Sequence, residues 1–159
     1  MQATGSNPAA TLNDEIAASN ALADVLRREQ AALIAAEIDS LPALTTEKAQ
    51  LVARIAVLAN ARYQALAAAG FPDEEAGMKS WVGSSACPAA AAASWNALLD
   101  AACSAKELNR VNGLLIAKHL GRNQASINVL QQGTRQGPTL YGPNGQTSTA
   151  GGSRGLVIG

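Results

Sequence analysis

Glu107 to Leu130, ELNRVNGLLIAKHLGRNQASINVL, decides the fold. At about 100° per residue it carries two apolar faces where a surface helix needs one. Ile116, Leu120 and Ile127 continue a stripe begun upstream by Trp95, Leu98, Leu99 and Ala102, whereas Leu108, Val111, Leu115 and Val129 lie on roughly the opposite side. Asn109, Arg110, Asn112 and Gly113 interrupt the pattern with poor helix formers and polar groups. Such a segment serves two partners: its own bundle, and a client surface, a further core helix or a second copy of the chain.

Working upstream, the apolar residues keep a helical period. A first helix is expected from about Thr11 to about Asp39, with Leu12, Ile16, Leu22, Leu26, Leu33 and Ile34 as its core stripe. Thr11 is placed as N-cap, and Asn13-Asp14-Glu15 put negative charge in the first turn. Ser40-Leu41-Pro42 breaks the pattern, and a second helix runs to about Ala69 with Leu44, Leu51, Ile55, Leu58 and Leu66 inward. Gly70 and Pro72 end it. Asp73-Glu74-Glu75 opens a short helix reaching Trp81, and Phe71, Met78 and Trp81 cap one end of the bundle. The last helix is expected from near Pro88 to about Gln132, roughly 65 Å at 1.5 Å per residue. Gly113 and Gly121 mark places for a bend or a close helix contact.

The fold class is all-α: an elongated antiparallel bundle of three long helices plus a short connecting helix, with a disordered C-terminal tail. Residues 1–10 read as a frayed start, 11–132 as the bundle, and 133–159 as a flexible tail rich in Gly, Pro, Ser and Thr. Leu140-Tyr141, beside the Gly-Pro-Asn-Gly turn signal, reads as a docking motif or as a tail folding back on its own bundle.

Of 159 residues 48% are hydrophobic, yet only 3% are aromatic, so the core is built from Leu, Ile, Val and Ala in closely approaching helices. Twelve basic residues balance twelve acidic ones and are scattered along the chain, Arg27-Arg28 being the only adjacent pair. That pattern argues against nucleic acid as a partner. The absence of a long apolar run and of a leader-like N-terminus points to the cytoplasm, without direct membrane insertion. Cys87 and Cys103 read as small hydrophobes, not as a disulfide.

No catalytic, cofactor or metal site is expected. Paired Glu-x-x-His segments, Cys/His clusters with zinc spacing and a G-x-x-x-x-G-K-[ST] phosphate loop are all missing from the sequence. The single histidine, His119, reads as a partly exposed helix residue. The chemistry is that of a binding protein. On helix-in-groove logic Leu108, Val111, Leu115 and Val129 form a row of anchors. Asn109 and Asn112 either hydrogen-bond a bound segment or form a polar layer that fixes bundle register.

Leu108–Ile116 (LNRVNGLLI), Arg122-Asn123-Gln124 and Leu140–Ser148 (LYGPNGQTS) together resemble the FlgN family of flagellar export chaperones. Glu29-Gln30 and Thr46-Glu47-Lys48 agree more loosely. The resemblance implies a cytoplasmic chaperone for the hook-associated proteins FlgK and FlgL, which prevents their premature assembly and brings them to the export-gate protein FlhA. It implies client binding on the C-terminal helix, through Leu108, Val111, Asn112, Leu115, His119, Arg122 and Val129. It implies gate docking through Leu140 and Tyr141. After Ser148 the counterpart is loose, and no role carries over to Leu156-Val157-Ile158. The alternatives are a structural coiled-coil protein that pairs with its own copy and, last, a bundle enzyme with an unrecognised site.

Overall fold

The computed structural model describes residues 7–135 of the chain. Residues 1–6 of the stretch 1–10 expected to fray, and residues 136–159 of the expected tail 133–159, with Leu140 and Tyr141, lie outside the described residues. Four α-helices follow in order: α1 (Leu12–Ala35), α2 (Leu41–Ala68), α3 (Glu75–Val82) and α4 (Ala89–Arg135). There is no strand among the described residues, and the protein is all-α. The chain divides into two units, Met1–Ala117 and Lys118–Gly159.

In the first unit, polar contacts between helices show how they run. Arg28 meets Glu47 and Glu15 meets Arg62, so α2 runs antiparallel to α1. Arg62 lies over Trp95 and Glu29 receives Asn112, so α4 runs back alongside α1. One apolar cluster joins Leu12, Leu66, Met78, Trp81, Ala91, Trp95 and Leu98, with Phe71 and Cys87 packed against it. This is the capped bundle end that Phe71, Met78 and Trp81 predict. A second, smaller cluster joins Val25, Ala32 and Leu44.

The helix ends show what the local sequence does. Turns precede α1: Asn7 Oδ1 accepts the Ala9 N–H at 3.0 Å, and Pro8 is buried. The ordered path therefore begins before the expected Thr11. Thr11 does occupy the N-cap, but its hydroxyl donates to Glu15 Oε1 (2.7 Å) instead of accepting a backbone N–H. α1 stops at Ala35, earlier than expected, because Ala36 turns left-handed (φ 56°). Glu37 N then donates to Ala32 O and Ala36 N to Leu33 O, a Schellman closure. α2 ends on the same closure, with Gly70 (φ 82°) in the left-handed position and Phe71 N on Leu66 O. Pro42 sits in the first turn of α2, where its missing N–H costs nothing.

α3 docks through Gly77, where a Cβ would lie 1.8 Å from Pro72 O. α4 is continuous over 47 residues, and nothing lies within 4 Å of the position a Cβ would take at Gly113 or Gly121. Neither glycine marks a break or a close contact. Two further expectations fail at single residues. Ile34, expected in the core stripe, is 70% exposed, and Cys103, read as a small hydrophobe, is exposed.

Candidate partner-binding surface

The inward face of α4 differs from the one hydropathy selects. Within the first unit Trp95, Leu98, Ala105 and Asn112 are buried, and Leu108, Val111 and Leu115 are half-buried. Ile116, expected to continue the core stripe, is exposed, and so is Leu114. The reason is Asn112. Its Nδ2 donates to Leu26 O (2.9 Å) and to Glu29 Oε2 (2.8 Å) on α1, while Lys48 Nζ on α2 pairs with Glu29 Oε1 at 2.7 Å. A polar side chain that looks like an interruption thus occupies the centre of the buried face. Asn112 forms a polar layer with Glu29 and Lys48. Asn109 is exposed.

A second polar layer lies nearer the capped end. Arg62 Nε and Nη2 donate to Glu15 Oε1 and Oε2 at 3.0 and 3.1 Å, with both side chains almost wholly buried. The Arg62 guanidinium stacks between the Tyr63 and Trp95 rings, 4.8 and 5.0 Å from their centroids. Between the two layers an open groove of about 490 Å³ runs along α1, α2 and α4, lined by Leu22, Val52, Ile55, Ala102 and Lys106 among others. On the outer side, Arg110 donates to both carboxylate oxygens of Glu107. That hydrogen bond, with the neighbouring positive charge, holds the Glu107 carboxyl below its ordinary pKa.

In the second unit, His119 is half-buried, and every residue from Leu120 to Arg135 is exposed. Leu120 (63%), Ile127 (46%), Val129 (68%) and Leu130 (70%) therefore present bare apolar surface. Leu120 and Ile127, expected as core, are surface residues; Arg122 and Val129, expected as partner contacts, are exposed. Leu108, Val111 and Leu115 are partly covered, and Asn112 is engaged by the bundle. The structure thus separates the seven expected contact residues into an inward group and an outward group. Among the described residues no group of His, Cys, Asp and Glu is arranged to hold a metal, and no helix is long and apolar enough to cross a membrane.

These features define a class: an all-α bundle tied by buried polar layers, whose last helix carries uncovered apolar side chains. Comparison with known proteins makes it specific. The chain belongs to the FlgN protein family, whose profile matches residues 1–149. Similar proteins are the flagella synthesis protein FlgN of Proteus mirabilis, 42% identical over 52 residues (33% of this chain and 34% of that protein), and that of Salmonella typhimurium, 39% identical over 56 residues (35% and 39%). The FlgN of Escherichia coli K12 is 46% identical over 44 residues (28% and 30%). These matches span roughly a third of the length of the curated relatives. No solved structure matches the chain.

Proposed function

We propose that this protein is a cytoplasmic flagellar export chaperone that shields the C-terminal amphipathic helices of the hook-associated proteins FlgK and FlgL and delivers them to the export-gate protein FlhA. The observation that carries this reading is the bare apolar surface of α4 in a member of the FlgN family. Burying one leucine contributes about 1.5–3 kcal/mol, so a few anchors give an affinity that holds a client and still releases it. Leu120, Ile127, Val129 and Leu130 are immediately accessible as anchors, with Arg122 beside them. Leu108, Val111, Leu115 and His119 are offered only in part, and Asn112 contributes by holding α4 in register. Leu140 and Tyr141 are assigned to the gate contact by the family resemblance of their motif.

Calorimetric titration with the C-terminal helical segment of a hook-associated protein tests the proposal. It is run on the full chain, on a chain ending at Gln132, and on Tyr141→Ala. Saturable binding that survives both changes supports a client on the helices and a separate task for the tail. Loss of binding with the tail moves the client there. A folded protein that binds no such segment leaves the family resemblance without the proposed activity and promotes pairing between copies.

A further inference from the structure

The net charge of zero conceals a division. All twelve carboxylate side chains lie at or before Glu107, whereas Arg110, Lys118, Arg122, Arg135 and Arg154 follow it. From Leu108 onward the formal charge is therefore +5, balanced by −5 in the residues before. Within the second unit, none of Lys118, Arg122 and Arg135 forms an ion pair with a described residue. The apolar residues of the same segment are equally ordered. Leu120, Asn123, Ile127, Leu130 and Thr134 recur at alternating spacings of three and four, the seam of a coiled coil. A stripe this narrow pairs with another helix, whereas a membrane-seeking helix needs a wide apolar face. The segment also has no aromatic residue, and Asn123 sits within the seam. Paired with the same segment of a second copy, it would meet more of the same positive charge and no carboxylate.

We infer that residues 118–135 form a docking seam for an α-helical partner segment flanked by carboxylates, held by Leu120, Ile127 and Leu130 and selected by Lys118, Arg122 and Arg135. This inference deepens the chaperone reading and rests on it for the partner's biological role, but not for its chemistry. Asn123 fixes the register of the paired helix, since a buried amide tolerates only a polar neighbour. The positive field raises the association rate and rejects basic helices.

The test uses the full-length protein and two synthetic heptad peptides with the same Leu/Ile seam, one flanked by Glu and the other by Lys. Like-charged flanks keep each peptide from pairing with itself. Binding is read by fluorescence anisotropy at about 0.05 and 0.5 M salt, which spans the range over which screening becomes severe. The expected result is saturable binding of the Glu peptide at least tenfold tighter than the Lys peptide, weakened several-fold by salt. Ile127→Asp abolishes it, and Arg122→Glu with Lys118→Glu inverts the preference. Ile127 and Arg122 lie in the fully exposed run and Lys118 is itself exposed, so circular dichroism of the variants should match the parent. Equal binding of both peptides, or binding untouched by Ile127→Asp, overturns the inference. So does a concentration-dependent dimer that Ile127→Asp dissolves, or co-sedimentation with anionic phosphatidylserine vesicles in place of peptide binding. Because the hook-associated segment is titrated separately, the two readings fail separately. A client that binds where the Glu peptide does not leaves the chaperone and removes the seam chemistry, and the reverse outcome leaves the seam and removes the client.

Discussion

Arg62 illustrates what one buried charge requires. Its guanidinium is nearly inaccessible, bonded to Glu15 through two nitrogens, and covered by two rings, while Nη1 has no partner among the described residues. Burying both ions costs several kcal/mol that their attraction only roughly offsets, so the pair specifies geometry more than it adds stability. Removing one member alone strands the other. Arg62→Met should therefore lower unfolding stability by about 3–5 kcal/mol, and Glu15→Leu combined with Arg62→Met should recover most of that loss. Urea denaturation of the two single variants and the double variant measures it; equal losses in the double and in Arg62→Met would show that packing, not the charge, carries the site. The exposed Glu107–Arg110 pair behaves differently. Its folded carboxyl pKa is lowered, so its small contribution is present above the unfolded value and disappears as pH falls through the folded one. The Glu107 side-chain carbon resonance should titrate at a higher pH in Arg110→Gln than in the parent, with little change in overall stability because both side chains are 60% exposed.

At the scale of the helix, two identical closures use different residues. α2 stops on Gly70, which takes a left-handed conformation without strain, and α1 stops on Ala36, which does not. The left-handed region costs an L-residue about 1–2 kcal/mol, partly offset by glycine's greater freedom when unfolded. Ala36→Gly should raise stability by about 1 kcal/mol in thermal unfolding. Gly77→Ala should do the opposite by a larger margin, because its Cβ would collide with the Pro72 carbonyl and lift Met78 and Trp81 of α3 away from Leu12, Leu66 and Trp95. The Gly70 stop was legible from composition, and the Ala36 stop was not, since alanine favours continuing the helix. The same contrast runs along the faces. Leu12, Glu15, Ser19, Leu22, Leu26, Glu29 and Leu33 keep a strict three–four spacing on α1, as do Leu44, Lys48, Leu51, Ile55, Leu58 and Arg62 on α2. A reading that counts only apolar residues passes over Glu15, Glu29, Lys48, Arg62 and Asn112, although the period places each of them in the seam. Helix number, order and the aromatic cap follow from hydropathy. The choice of inward face on α4 depends on hydrogen bonds that hydropathy does not encode.

For the molecule as a whole, the question is where cooperative structure ends. The last buried side chain of α4 is Asn112, and every residue from Leu120 to Arg135 is exposed. A helix of about 12–15 residues without tertiary contacts is marginal in water, and Gly121 weakens this one further. Stability should therefore fall along α4. Amide hydrogen exchange should show protection near the global value through Val111 and Asn112, declining beyond Leu115 and becoming weak after Leu120. Gly121→Ala should raise protection in that last stretch by about 1 kcal/mol without changing the exchange of α1 or α2. The cost of ordering this stretch is subtracted from the affinity of any helix that docks there, so the same substitution should also tighten binding of the Glu-flanked peptide about fivefold. Uniform protection to Arg135 would mean that the exposed helix is stable alone, and Gly121→Ala would then leave affinity unchanged. A decline along the helix with tighter binding in Gly121→Ala would tie the low intrinsic stability of the segment to reversible capture: the bundle supplies one firm anchor at Asn112, and the partner completes the helix beyond it.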